Sequence, residues 1–442
     1  MSLVTPPETV EKLQKSLHAK AKAEPSFRFY SLWDKVCRDD VLRHAYRVCR
    51  ANDGAPGVDG ESFQQIEAHG LEDWLGNLQK EHRDKQYAPA PLLRVWIPKS
   101  TGGQRPLSIP PIRDRVAQTA LLTILEPIFE SDLPDEQFGF RRGRDAKRAV
   151  RVVRFHLTKR GRTDIVDADL RDYFNTIPHG SLLKCVARRV SDGNVLTAIK
   201  TWLCIAVVER TRQGQQRTTE ARDRRHGVPQ GSPISPLLSN LYFRRFVLAW
   251  RKFGYERRLN AHIVNYADDL VICCRPGAGA EAMVKMRETM GRLGLTLNEQ
   301  KTRLVVMPEG SFDFLSYTFC HQFRHDKRPY LGIRPSQKAL SRILRRIREA
   351  TTPRWCPCSA KSRVEDINEA VLGWCGYFDQ GTVAPTYRTL TRHLLWRIRR
   401  WLSKKHKRRG TGARQYPLEF LTQELGLYLP QVPNRDRLRA KA

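Results

Sequence analysis

Short apolar runs alternate with amphipathic stretches along most of the chain, and the texture changes near residue 335. Residues 1–50 read as polar-to-amphipathic helix, 53–60 as turns and 61–86 as helix. Leu92–Pro98 and Arg105–Pro110 read as strands of a hairpin about the turn Ser100–Gln104. An amphipathic helix follows over 113–130, then a loop passing into a basic helix over 138–160. Thr163–Leu170 is a strong strand pattern, and 178–208 has helical spacing. An exposed hairpin or loop is expected over 209–226, and a Gly- and Pro-punctuated loop enters a helix over 227–243. Ala261–Tyr266 and Leu270–Cys274 are short, β-branched and aromatic, as buried strands are. A helix over 278–293, a strand-like stretch over 295–306 and a strand over Phe312–Phe319 complete this part. Beyond 335 come three helical stretches rich in Arg, Trp and Tyr, separated by Pro- and Gly-containing linkers.

Polar residues that interrupt the apolar runs are the candidates for chemistry. Asp268 and Asp269 fall between two strands, at the tip of a tight hairpin, where Asp tolerates positive φ. Like charges this close repel, and a divalent cation is the usual remedy; the plain alternative is an exposed Asp-Asp turn. About 100 residues earlier, Asp167 and Asp169 share one face of a strand with Ile165. Side chains two apart on a strand stand about 7 Å apart, so Asp167 reads as a supporting acid and Asp169 as a ligand.

Composition narrows the partners. The 442 residues suffice for two to four packed units, and 40% are hydrophobic, so the chain is globular. Lys and Arg number 78 against 46 Asp and Glu, a net charge of +32. That excess calls for a polyanion, with nucleic acid ahead of a membrane surface. No apolar run approaches about 18 residues, and the N-terminal stretch lacks the apolar core of a signal peptide. Ten scattered cysteines, several inside apolar elements, suggest reduced thiols and a cytoplasmic setting; Cys356 and Cys358 lack a second pair at zinc-finger spacing.

Eight segments then occur in order: GAPGVDG, RPLSIPPIRDRVAQTAL, FGFRRGR, DADLRDYFNTIPH, GVPQGSPISPLLSNL, YADD, GLTLNEQKT and FDFLSYTF. In this set and order the chain resembles reverse transcriptases, most closely those encoded by group II introns, over roughly residues 50–430. The resemblance implies an α+β right-hand polymerase: an N-terminal extension and start of fingers over 1–90, fingers and palm with an antiparallel sheet packed on helices over 91–325, and an all-helical thumb or maturase domain over 326–442. It implies an RNA-directed DNA polymerase adding dNTPs to a DNA or RNA primer 3′-hydroxyl, with two Mg²⁺ ions for which Mn²⁺ can substitute. The metal-binding positions are Asp169, Asp268 and Asp269, with the backbone carbonyl of Leu170. Lys99 and Arg105 take the positions that grip the triphosphate, and Gln230 and Gly231 line the nucleotide pocket. Phe174 takes the position that packs under the sugar and excludes a 2′-hydroxyl. Lys301 is placed as acid for the leaving pyrophosphate, and Phe314, Leu315, Ser316 and Tyr317 as the primer grip. Three departures put template and primer contacts in question: Asn175 where relatives usually carry an acid, Arg142 for a common proline, and Ser316 for a common glycine.

The helical C-terminal third resembles the maturase domain of that family and implies binding to the parent intron RNA, in splicing and retrohoming. RNA contacts are expected at Arg141, Arg142 and Arg144 and in the basic run at Lys404, Lys405, Lys407 and Arg408. Trp374, Trp396 and Trp401 are expected in helix-packing core. No nuclease pattern follows the maturase-like stretch, so a protein of this kind is expected to take its primer from elsewhere, for instance a nascent strand at a replication fork, in a bacterial cytoplasm. Two other readings remain: a domesticated polymerase in phage defence, repair or CRISPR adaptation, and an RNA-binding splicing factor with vestigial synthesis.

Overall fold

The computed structural model describes residues 4–98, 103–211, 214–323 and 329–432. Two compact units divide the chain: Met1–Asp145, Val166–Ile272 and Ala278–Arg303 form the first, and Ala146–Ile165, Cys273–Gly277 and Leu304–Ala442 the second. The strands, in chain order, are β1 (Leu92–Pro98), β2 (Gln104–Ile109), β3 (Asp164–Asp169), β4 (Val207–Thr211), β5 (Gly214–Thr218), β6 (His262–Tyr266), β7 (Asp269–Cys274), β8 (Arg303–Val306), β9 (Phe312–Phe314), β10 (Tyr317–Phe323) and β11 (Pro329–Pro335).

In the first unit the helix Ile112–Glu130 is buried on most of its surface, from Ile112 and Val116 to Ile128 and Phe129. An apolar stripe that wide makes a central helix, and the helices Glu8–Ala23 and Asp39–Asn52 pack on it. One sheet runs β2-β1-β4-β5, antiparallel except for the parallel β1–β4 pair. The expected single helix over 178–208 is two, His179–Ala187 and Gly193–Leu203. Asp192 makes the break. Its Oδ1 accepts from the amides of Asn194 and Val195 as the N-cap of the second helix. Its Oδ2 accepts from those of Leu32 and Trp33, both at 2.8 Å. Beside it Arg189, 1% exposed, donates to the carbonyls of Ala21, Glu24, Pro25 and Phe27 at 2.5–3.1 Å. Asp132 Oδ2 stands 3.4 Å from Arg189 Nε. The N-terminal stretch is thereby tied to the middle of the chain.

A second sheet has the order β6-β7-β3-β8. The start of β7 lies beside the end of β3, so those two central strands run antiparallel. The third sheet, β11-β10-β9, is antiparallel and belongs to the second unit. Phe312–Phe319, expected as one strand, is a two-residue hairpin: Leu315 and Ser316 both have positive φ, 48° and 66°, the geometry of a type I′ turn. The helices Gln337–Ala350, Ala360–Tyr377 and Ala384–Lys405 follow and share a core of Ile343, Ile347, Val364, Leu390, Leu394 and Trp401. The first buries Ala339, Leu340, Ile343 and Ile347 and leaves its arginines outward, with Ser336 as N-cap. Among the described residues, no helix is long and apolar enough to cross a membrane.

Candidate active site

The first unit holds a cleft of about 750 Å³. Asp169 ends β3, Asp268 sits in the β6–β7 turn, and Asp269 opens β7. Sheet order makes β3 and β7 neighbours, and the amide of Leu170 approaches the Asp268 carbonyl at 3.5 Å. The three acids therefore converge from stretches 100 residues apart. The carboxyl of Asp269, although open to solvent, is pushed up to about 7. Protein atoms crowding out water come first as the cause, then the charges of Asp268, Asp169 and Asp167; Lys301 opposes them. A site so short of positive charge, built of carboxylate oxygens, suits a hard divalent cation.

Asp169 is held from both sides. Its Oδ2 accepts from Asn298 Nδ2 at 3.2 Å and from Lys301 Nζ at 3.1 Å, and its carbonyl accepts from the amide of Asn298. The amide of Arg171 donates to Thr296, so Leu170 is pinned between two bonded neighbours. Asp167 instead faces Arg303 Nε at 3.3 Å, a pairing that suits a supporting acid.

The hairpin tip is fixed by residues that sequence reasoning passed over. The positive φ falls on Ala267, 56°, and not on an aspartate. Asn265, fully buried, donates from Nδ2 to the carbonyls of Ala267 at 2.9 Å and Asp269 at 3.2 Å. The segment before FGFRRGR runs alongside β6: the amide of Asn265 donates to Glu136, and that of Phe138 to Asn265. Gly139 then passes so close that a Cβ there would stand 2.5 Å from the Ala267 nitrogen. Asn240 Nδ2 holds the Gly139 carbonyl at 2.8 Å. A polar Asn inside an apolar strand and a Gly between two Phe were the available signals.

Across the cleft, Arg105 Nε donates to Gln230 Oε1 at 2.7 Å, and the Ser108 amide donates to the Gln230 carbonyl. Gly231, at φ 115°, lies where a Cβ would meet the Ser108 oxygen at 2.5 Å. Phe174 is 7% exposed on the cleft wall, edge-on to Phe140 with ring centroids 6.4 Å apart; Phe140 was not foreseen. Lys99 lies outside the described residues.

Several expected contacts are corrected. Arg141 is buried: it chelates Glu130 and donates to the carbonyls of Leu133, Pro134 and Gln137, so no RNA can reach it. Arg144 is largely covered and engaged with Asp135. Lys405 donates to the carbonyls of Cys356 and Cys358, a structural clamp. Arg142, paired with Glu126, remains more than half exposed, and Lys404, Lys407 and Arg408 are exposed. Of the grip residues, Phe314 and Tyr317 are core, with Tyr317 donating to the Tyr377 carbonyl; only the Leu315–Ser316 turn is partly open. Trp401 is core and Trp374 half-buried, but Trp396 is 46% exposed between the guanidinium groups of Arg397 and Arg400.

Comparison with known proteins bears on this arrangement. The reverse transcriptase (RNA-dependent DNA polymerase) family matches residues 97–334, more than half of the chain, and the group II intron maturase-specific domain matches 340–416. Protein YkfC of Escherichia coli is 32% identical over 75% of this chain and 93% of its own length. The group II intron-encoded protein LtrA of Lactococcus lactis is 29% identical, over 52% of this chain and 37% of that one. A putative COX1/OXI3 intron 1 protein of Saccharomyces cerevisiae is 25% identical, over 63% and 38%. The chain thus spans less than two-fifths of the length of these two intron proteins. Eight ordered motifs, three converging acids and a family match across the sheet that carries them agree: the chain belongs to the reverse transcriptases, RNA-directed DNA polymerases of the group II intron-encoded reverse transcriptase/maturase kind.

Proposed function

We propose that the cleft extends a primer 3′-hydroxyl with dNTPs on an RNA template, and that the same chain binds its parent intron RNA during splicing and retrohoming. The observation that carries the first part is the meeting of Asp169, Asp268 and Asp269 where the end of β3 lies beside the start of β7. These carboxylates, with the Leu170 carbonyl, would hold two Mg²⁺ ions. When bound, such ions neutralise charge on the attacking and leaving oxygens.

The remaining work falls to the chain. Arg105, oriented by Gln230, presents a planar fork to the triphosphate. Gly231 lets Gln230 stand against β2. Phe174, braced by Phe140 and Tyr173, closes the floor where a ribose 2′-hydroxyl would sit. Lys301 holds a proton at Nζ beside Asp169 and can pass it to the departing pyrophosphate. Maturase binding is supported by the domain match at 340–416 and by the exposed Lys404, Lys407 and Arg408.

The test is extension of a labelled primer on an RNA template with dNTPs and Mg²⁺. Asp268→Ala should abolish extension and leave RNA binding intact. Extension at the wild-type rate by that variant would refute the assignment. Splicing of the flanking intron RNA by the same variant tests the maturase role independently.

A further inference from the structure

A second cavity in the first unit shares no lining residue with the polymerase cleft. It measures about 320 Å³, within the range of about 300–1,000 Å³ usual for small-molecule sites. Two helices wall it, His179–Ala187 and Ser235–Lys252, with the end of Ile112–Glu130 and the residues after it closing one side. Four cations line it: Lys184, Arg188, Arg244 and Arg245. Asp132 is the one acid in the lining, and its carboxylate faces buried Arg189. Among the described residues, none of the four cations has a carboxylate within ion-pairing distance.

Burial, with the charges of Arg188 and Arg189, holds the Arg244 guanidinium below its usual pKa, and the charge of Asp132 offsets part of this. Arg244 and Arg245 are only partly exposed. Arg244 Nε donates to the Asp132 carbonyl, which fixes the plane of its guanidinium, and Arg245 lies over the Tyr242 ring at 5.2 Å. Two partly buried guanidinium groups, one held by a hydrogen bond and one lying over a ring, and two freer cations around one hollow offer the donors that a phosphate takes. Phe129, Leu241 and Leu248 give the lining an apolar part and Ser181 adds a hydroxyl, a mixed surface that fits a base or sugar.

We propose that this cavity binds a nucleoside phosphate, as a free nucleotide or as one residue of an RNA strand, at a site separate from the polymerase cleft. Recognition is by charge on the phosphate and by apolar contact with the remainder.

Cys185 lines the same cavity and is half-buried, so its alkylation reports occupancy there and not in the cleft. The full-length protein is treated with N-ethylmaleimide at pH 8, in EDTA, with AMP or with a 12-nucleotide single-stranded RNA as probe. Modification of Cys185 is followed by peptide mass spectrometry. At least one probe should slow alkylation fivefold or more. The exposed pair Lys184→Gln with Arg188→Gln should weaken that protection at least tenfold in probe concentration, and primer extension at saturating primed template should stay unchanged. Protection by AMP identifies a free nucleotide as a competent ligand; protection by RNA alone identifies the strand. A charge-matched control, Lys12→Gln with Lys15→Gln, removes two exposed cations from the helix Glu8–Ala23. The proposal is overturned if neither probe protects Cys185, if the cavity variant keeps full protection, or if the control loses as much as the cavity variant.

Discussion

Replacing Asn265 by alanine tests whether the hairpin that carries Asp268 and Asp269 is aimed by a single buried amide. Its nitrogen donates to two carbonyls, Ala267 and Asp269, and those two acceptors fix which end of the amide is nitrogen. Each bond contributes about 1 kcal/mol net, so losing both costs about 2 kcal/mol. The Oδ1 atom is buried and unbonded, and its removal returns about 1 kcal/mol of that. Folding stability should therefore fall by only about 1 kcal/mol. Catalysis should fall further, because a shift of order 1 Å at a reacting group costs about 100-fold. Urea unfolding gives the first quantity, and single-turnover primer extension at saturating dNTP and Mg²⁺ gives the second. A variant that extends within twofold of the wild-type rate would show that Gly139 and the sheet alone set the tip, and the reasoning would fail.

Four further outcomes follow from the same geometry. Asp269→Asn should raise the melting temperature in EDTA, since crowding and like charges burden its carboxylate, while extension is lost; scanning fluorimetry with and without Mg²⁺ reads both. Asp114, 1% exposed and bonded to Tyr87 Oη and the Ala90 amide, is pushed up to about 6, chiefly by burial. The folded state then holds the proton more tightly than the unfolded one. This group's contribution is full below about 4, is lost as pH rises through 6, and is worth up to about 3 kcal/mol; Asp114→Asn should flatten that slope in urea midpoints taken from pH 4 to 7. Phe174→Val should raise the ratio of rNTP to dNTP kcat/KM at least tenfold in single-nucleotide insertion. Gly231→Ala, strained at positive φ and pressed on Ser108, should raise KM for dNTP more than it lowers kcat.

The parts of the site written in local pattern were legible in the sequence. The strands at 163–170 and either side of the aspartates show as short β-branched runs, and the three acids as polar breaks in them. Arg105, Phe174, Gln230 and Lys301, singled out by the resemblance, all line one cleft. What escaped depends on contacts distant in sequence. Nothing near Asp192 announces that one carboxylate both caps a helix and receives the amides of Leu32 and Trp33. The FGFRRGR stretch reads as a basic loop for RNA, yet Arg141 turns inward, because the carbonyls left after the helix Ile112–Glu130 need donors. The Leu315–Ser316 turn was hidden because neither residue is a usual one for positive φ. Trp396 misled in the other direction: helical spacing suggested burial, yet the ring is exposed and stacks with Arg397 and Arg400, one and four residues on.

Arg189 has a consequence for how this chain can be shortened. A cation with almost no access to water depends on four peptide oxygens lent by residues 21–27. Trimming the protein to begin at residue 30 would strand that guanidinium, with Asp132 at 3.4 Å as its remaining neighbour of opposite sign. The leading segment is thus a structural dependency of the catalytic unit, and an active minimal version would need Arg189 replaced by an apolar residue in the same stroke.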